Sequence, residues 1–145
     1  IIPEVASFEA TVRTVDPGVS GLIAEIARRT CEGIAAAHGV SVEVDHQGEY
    51  PVTFNDAAAV DRALSAAADL FGEQACARMP QPIAGSEDFS RVLAQVPGAM
   101  VFLGAVVDGV RPDRAPGNHS PQARFDDRVL PDGAALLAEL AMRLA

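Results

Sequence analysis

Three histidines are the chain's candidates for metal binding or proton transfer. His38 lies at the end of a predicted helix, where a side chain that bonds the last carbonyls is favoured, and His46 lies in a polar stretch. His119 lies in Asn118-His119-Ser120-Pro121, at the end of a long irregular segment. The pattern alone indicates an ordinary loop histidine, because a catalytic metal usually needs three protein ligands and none lies near it at ligand spacing. Any metal bound by His119 must therefore take its other ligands from elsewhere.

A second candidate is the sequence Gly85-Ser86-Glu87-Asp88. It has one interpretation as a helix start, with Ser86 as N-cap and two carboxylates that complement the helix dipole. It has another as a ligand loop, in which Gly85 lets the backbone approach a ligand and exposed N–H groups bind a carboxylate or oxyanion. Arg13 also has two interpretations. It either faces solvent from a predicted strand or grips a substrate carboxylate with two hydrogen bonds.

The elements that carry these residues follow from periodicity and capping. Residues Val5 to Val15 are predicted to be a strand, because polar and apolar residues alternate from Phe8 onward, and the alternate valines in Val40 to Tyr50 predict another. Between them, Asp16 as N-cap, Pro17 at the first position and Gly39 as left-handed cap predict a helix. The first third of the chain is therefore predicted to be strand–helix–strand.

The rest of the chain is predicted to alternate helices and a strand. Asn55 and Asp56 can cap a helix that ends at Gly72, and a short helix should follow Phe89. The apolar run 99–104 is typical of a strand buried on both faces, and a final helix should cover 130–145. These elements predict an α/β fold.

Composition excludes several classes of protein. The 145 residues carry a net charge of −9, which disfavours binding to nucleic acid. No apolar run is long enough to cross a membrane, and no secretion signal is visible. Cys31 and Cys76 form no CxxC pair, so we expect two buried free thiols in a reducing compartment, the cytoplasm.

Six short motifs, in this order, resemble the metal-dependent amidohydrolases that include hippurate hydrolase, aminoacylases and auxin-conjugate hydrolases. The resemblance covers nearly the whole chain. The motifs are Ile2-Pro3 with Glu9-Ala10-Thr11-Val12-Arg13-Thr14, Tyr50-Pro51 with Asn55-Asp56, Gly85-Ser86-Glu87-Asp88-Phe89, Val96-Pro97-Gly98, Phe102-Leu103-Gly104, and His119-Ser120-Pro121 with Phe125-Asp126-Asp127.

The resemblance implies a fold and a domain division. Residues 55–145 would be the carboxy-terminal part of a zinc-peptidase-like α/β sandwich. Residues 1–54 would be the second half, β-α-β, of a ferredoxin-like lid and dimerisation domain, through which a homodimer is expected.

The resemblance also implies chemistry. Two divalent metals, zinc or manganese, activate a water that hydrolyses the amide bond of N-acyl amino acids or similar small amides. His119 would be a metal ligand, Arg13 would hold the substrate carboxylate, and Gly85 and Ser86 would line the substrate cleft. Glu87 and Asp88 receive no role.

The family's Cys-Gly-His-Asp ligand motif and its Glu-Glu pair with the general base do not occur in these residues. No catalytic residue is therefore assigned, and we expect the chain alone to be inactive. Two alternatives remain open: a non-catalytic dimerisation or small-molecule-binding module, and a related dipeptidase or carboxypeptidase. Substrate profiling on hippurate-like amides against dipeptides separates the two hydrolases, and a ligand motif upstream of Ile1 favours an enzyme over the module.

Overall fold

A computed structural model describes residues 1–144 of the chain. The chain forms two compact units. The first unit combines Ile1–Phe54 with Met79–Val96, and the second combines Asn55–Arg78 with the described residues from Pro97 onward. The resemblance to amidohydrolases implies a division of the chain into domains at 1–54 and 55–145, and this division stays a prediction.

The first unit contains the long helix α1 (Pro17–His38) and the short helix α3 (Ser90–Leu93). Asp16 caps α1 as the sequence predicts, because its side chain accepts a hydrogen bond from the Gly18 N–H at 2.8 Å. Gly39 ends the helix in the left-handed conformation, with φ 63° and ψ 31°, and its N–H bonds the carbonyls of Ala35 and Ala36.

The second unit contains α2 (Ala57–Phe71) and α4 (Leu130–Leu144), which contact each other. Asp56 caps α2 by accepting from the Ala59 N–H at 2.8 Å, and Gly72 ends it. Ala63 and Ala66 on α2 are buried, so small side chains form the centre of this unit. Short 3-10 turns occur at Glu73–Ala75, Pro112–Arg114 and Asp127–Val129.

The predicted α/β fold is wrong for residues 1–144, which contain helices and turns but no β strand. An α/β sandwich and a β-α-β lid are therefore not present in this part of the chain. The predicted strands at 5–15 and 40–50 form no ladder with any neighbour within residues 1–144. Alternation indicates only which face of a segment is apolar, whereas a strand exists only where an adjacent backbone exchanges repeated hydrogen bonds with it.

The apolar run 99–104 is also not the doubly buried strand that its composition predicts. Val101, Phe102 and Leu103 are exposed to 48%, 62% and 47%. The hydrogen bonds here are isolated: the Met100 N–H donates to the Asn55 Oδ1, and the residues flanking the run, Gly98 and Ala105, accept from the N–H groups of Asp56 and Asp126, each at 2.9 Å.

Candidate functional site

Arg13 and the Gly85-Ser86 segment lie together in the first unit. The Arg13 Nη1 donates a hydrogen bond of 2.6 Å to the carbonyl oxygen of Ala84, the residue before Gly85. Seventy-one positions separate the two partners along the chain. The structure thus brings together residues that sequence analysis singled out separately. Arg13 is exposed, as its strand interpretation required, but the segment that carries it is not a strand.

An open, mostly apolar depression has Arg13 among its lining residues. Its volume is about 320 Å³. Its lining belongs to the end of the extended segment and the first turns of α1: Arg13, Thr14, Val15, Asp16, Val19 and Ile23. A cation at the rim of an apolar surface suits a small organic acid, whose carboxylate can meet the guanidinium while its apolar part leaves water.

Glu87, rather than Ser86, organises the start of α3. The Glu87 Oε1 accepts from the Phe89 N–H at 3.1 Å, and its carbonyl oxygen accepts from the Ser90 Oγ at 2.5 Å. Ser90 is 1% exposed. Ser86 makes no capping bond in residues 1–144, so its interpretation as N-cap is wrong. Gly85 and Ser86 are both exposed, which leaves their backbone groups accessible to a ligand.

Arg91 is a residue of this region that sequence analysis missed. Its Nη2 donates to the Glu49 carbonyl at 2.7 Å, and its guanidinium carbon lies 5.2 Å from the centre of the Tyr50 ring. This cation–π contact fixes the segment at 49–50 against α3. No spacing signal could have found it, because the partners are 42 positions apart.

His119 lies in the second unit, in a turn. The Ser120 N–H donates to the Gly117 carbonyl at 2.9 Å, and the Ala123 N–H donates to the Ser120 carbonyl at 3.0 Å. His119 itself is exposed. Among residues 1–144, no group of three or more His, Cys, Asp or Glu side chains is arranged to hold a metal ion. The turn therefore presents an accessible imidazole without a set of accompanying ligands.

Asp126 follows this turn and was also not singled out as a functional residue. Its carboxylate accepts from the Arg128 backbone N–H at 3.0 Å and from the Arg128 Nε at 2.8 Å. The hydrogen bonds from Arg128 lower the pKa of Asp126 to about 2. The hydrogen bonds that Arg128 donates to the carboxylates of Asp126 and Asp108 raise the pKa of Arg128. Arg128 also pairs with Asp108 at 2.6 Å. The Asp126 carboxylate is thus occupied in shaping the chain that leads into α4.

The two cysteines are free, as predicted, but each is half-buried rather than fully buried. No helix among residues 1–144 is long and apolar enough to cross a membrane.

Comparison with known proteins decides the family. Residues 3–143 match the model of peptidase family M20/M25/M40. The chain belongs to this family. The resemblance to the amidohydrolases is thereby confirmed, because relatives are named hippurate hydrolase and N-acetylcysteine deacetylase.

Three relatives illustrate the range of the M20/M25/M40 family. The chain is 32% identical to a hippurate hydrolase of Campylobacter jejuni over 99% of its own length and 36% of that protein. It is 30% identical to thermostable carboxypeptidase 2 of Saccharolobus solfataricus, over its full length and 36% of the relative. It is 32% identical to an N-acetylcysteine deacetylase of Bacillus subtilis, over 98% of its length and 35% of the relative.

The chain thus spans about a third of the length of the curated relatives it matches. No solved structure gives a significant match. Peptidases of this family generally use divalent metals. The described residues alone do not fit such a centre, since His119 is a suitable ligand but lacks companions within residues 1–144.

Proposed function

We propose that the protein containing this chain is a metal-dependent amidohydrolase, which cleaves the amide bond of N-acyl amino acids or similar small amides. The match of residues 3–143 to the peptidase family carries this proposal. Two relatives are named for hippurate and N-acetylcysteine, and both compounds are N-acyl amino acids with a free carboxylate. An arginine beside an apolar depression is chemically suited to such substrates.

Four residues of the chain have proposed roles in this reaction. His119 contributes one ligand to a centre of two divalent ions, zinc or manganese, and the other ligands come from polypeptide beyond these residues. Arg13 binds the substrate carboxylate, and Gly85 and Ser86 line the cleft. The exposure of all four residues supports roles that require access to a ligand.

Replacing His119 with alanine tests the metal role. Loss of groups that merely support metal ligands typically costs 10- to 100-fold in metal affinity or activity, so loss of a ligand should reduce turnover by more than about 100-fold. Metal content per protein, measured by elemental analysis, should fall as well. His46→Ala is the matched control, since His46 is also exposed and lies in no proposed site. Unchanged metal content and turnover in the His119 variant would remove it from the centre.

Arg13→Ala tests the carboxylate role. A hydrogen bond to a charged group is worth about 1.5–3 kcal/mol, which corresponds to roughly a 10- to 150-fold rise in KM for an acid substrate. The rise should be smaller for the matching carboxamide, which presents no negative charge. Arg29→Ala is the control, because Arg29 lies on α1 and forms no ion pair within residues 1–144. Equal rises for the acid and the carboxamide would contradict the role.

Carboxypeptidase activity is a second candidate, because two relatives from Saccharolobus solfataricus are named thermostable carboxypeptidases. A peptide substrate also carries a free carboxylate for Arg13. Rates of the intact protein on hippurate-like amides and on peptides distinguish the two activities, and faster cleavage of peptides would favour this second candidate.

The intact protein is also proposed to be a cytoplasmic homodimer. The free cysteines support a reducing compartment. The exposed apolar side chains of the first unit, among them Phe8 at 84% and Leu22 at 54%, support burial against a second copy. Sedimentation analysis that gives a monomer at micromolar concentration would exclude the dimer.

A further inference from the structure

The segment from Ala84 to Glu87, called here the 84–87 loop, is held by different means at its two ends. At its carboxyl end, the Glu87 carbonyl accepts from the Ser90 N–H at 3.2 Å and from the Ser90 Oγ at 2.5 Å. These bonds are local, and Ser90 is 1% exposed. The carboxyl end is therefore fixed by the chain immediately after it.

The amino end of the loop depends on a distant side chain. The Ala84 carbonyl accepts from the Arg13 Nη1 at 2.6 Å, and no other hydrogen bond joins residues 84–86 to the rest of the described chain. The preceding stretch, 79–83, includes Pro80 and Pro82, which cannot donate backbone hydrogen bonds. Within residues 1–144, the bond from Arg13 to the Ala84 carbonyl, called here the brace, is thus the one hydrogen bond that holds the amino end of the loop.

The Arg13 guanidinium has N–H donors that the bond to Ala84 does not use. Arginine carries five N–H donors in a rigid fork, and the bond to Ala84 uses one nitrogen. No carboxylate in residues 1–144 forms an ion pair with Arg13. One edge of the guanidinium can therefore hold the loop while other N–H groups meet a ligand.

We propose that Arg13 is a positioning residue for the 84–87 loop, in addition to its role toward the substrate carboxylate. The bond from Arg13 to the Ala84 carbonyl orders the exposed backbone of Gly85 and Ser86 before any substrate binds. This inference rests on the proposed function for its catalytic consequence but not for its structural one. An acid substrate and the loop therefore both bind the Arg13 guanidinium. Because loss of Arg13 also disorders the loop, it should weaken binding even of substrates without a carboxylate.

Backbone dynamics of the intact protein without substrate test the brace directly. We expect ¹⁵N order parameters of Gly85 and Ser86 near the rigid value of about 0.85, falling below about 0.6 in Arg13→Ala. Arg13→Lys keeps a charged donor nitrogen and should recover part of the order. Arg29→Ala, on the same unit, should leave both amides unchanged. Unchanged order parameters in Arg13→Ala would overturn the proposal, as would a loss in Arg13→Lys as large as that in Arg13→Ala.

Kinetics then separate the two roles of Arg13. For the carboxamide substrate, KM should rise several-fold in Arg13→Ala and recover in Arg13→Lys. For the acid substrate, Arg13→Lys should stay impaired, because a lysine cannot form the bidentate fork. A carboxamide KM unaffected by Arg13→Ala would overturn the catalytic consequence of the brace. If the protein hydrolyses neither substrate but Arg13→Ala lowers the order parameters of Gly85 and Ser86, the proposed function is refuted. The structural role of the brace is supported in that case.

Discussion

Gly33 inside helix α1 and Gly39, which ends that helix, should respond in opposite directions to the same substitution. Gly33 lies in the interior of α1, and a Cβ added there would meet no atom within 4 Å beyond the adjoining backbone of its own helix. Alanine at an exposed helix interior is favoured over glycine by about 0.5–1 kcal/mol, because glycine loses more backbone entropy on folding. Gly33→Ala should therefore raise the free energy of unfolding by about that amount.

Gly39 has equally open space but a different backbone. Its φ of 63° is left-handed, a conformation that costs a residue with a Cβ about 1–2 kcal/mol. Alanine also lowers the conformational entropy of the unfolded chain, which offsets about 0.4–1 kcal/mol of that cost. Gly39→Ala should thus lower the free energy of unfolding by roughly 0.5–1 kcal/mol. Gly39→Asn should cost less, because asparagine tolerates the left-handed region better than alanine does.

Urea unfolding of the intact protein, followed by circular dichroism, measures both variants. The midpoint should rise for Gly33→Ala and fall for Gly39→Ala, with an unchanged denaturant slope in each. The two free energies should differ by about 1–2 kcal/mol. Shifts of the same sign would refute the reasoning, because they would show that backbone conformation does not govern the response at these positions. A changed slope would show that the substitution also affects the compactness of one of the states.

Two further predictions concern the second unit. Asp56→Ala should destabilise the protein by about 1 kcal/mol, because α2 loses the 2.8 Å hydrogen bond from the Ala59 N–H to the Asp56 side chain. Asp56→Asn retains an acceptor oxygen and should destabilise the protein less. Equal destabilisation by the two variants in thermal unfolding would contradict the capping role of Asp56. The pKa of Asp126 is lowered to about 2 from 3.8, so its bonds to Arg128 stabilise the fold at neutral pH, and this contribution should fade as the pH falls from about 4 to 2. Asp126→Asn should flatten that part of the stability profile, and an unaltered profile would refute the assignment.

The helix boundaries could be predicted because the interactions that set them are local. Asp16 bonds the N–H only two residues ahead, and Asp56 bonds the N–H three residues ahead. Gly39 adopts a conformation that its own lack of a side chain permits. Each of these features depends on residue types within one helical turn, and such information is present in any short stretch of sequence.

The strands could not be predicted in the same way, because their formation depends on a partner. The alternation from Phe8 to Val15 and the apolar run at 99–104 satisfy the composition of a strand. Neither segment has a neighbouring backbone to complete a ladder within residues 1–144. The bond from Arg13 to Ala84 shows the same limit for a side chain, since no periodicity relates positions 71 apart. Sequence analysis singled out Arg13 and the neighbouring Gly85 separately, but not the bond that joins Arg13 to Ala84.

The start of α3 shows how a local prediction can also fail. Ser86 and Glu87 both have side-chain oxygens able to accept from a backbone N–H, and serine is the better N-cap by residue preference. The outcome depends on where the helix begins, which is Ser90, four residues after Ser86. At that distance the Ser86 side chain precedes the first turn, whereas the Glu87 side chain reaches the Phe89 N–H and its carbonyl takes the buried Ser90 hydroxyl. The N-cap is thus Phe89, Glu87 bonds the Phe89 N–H and the buried Ser90 hydroxyl, and Ser86 stays exposed outside the helix.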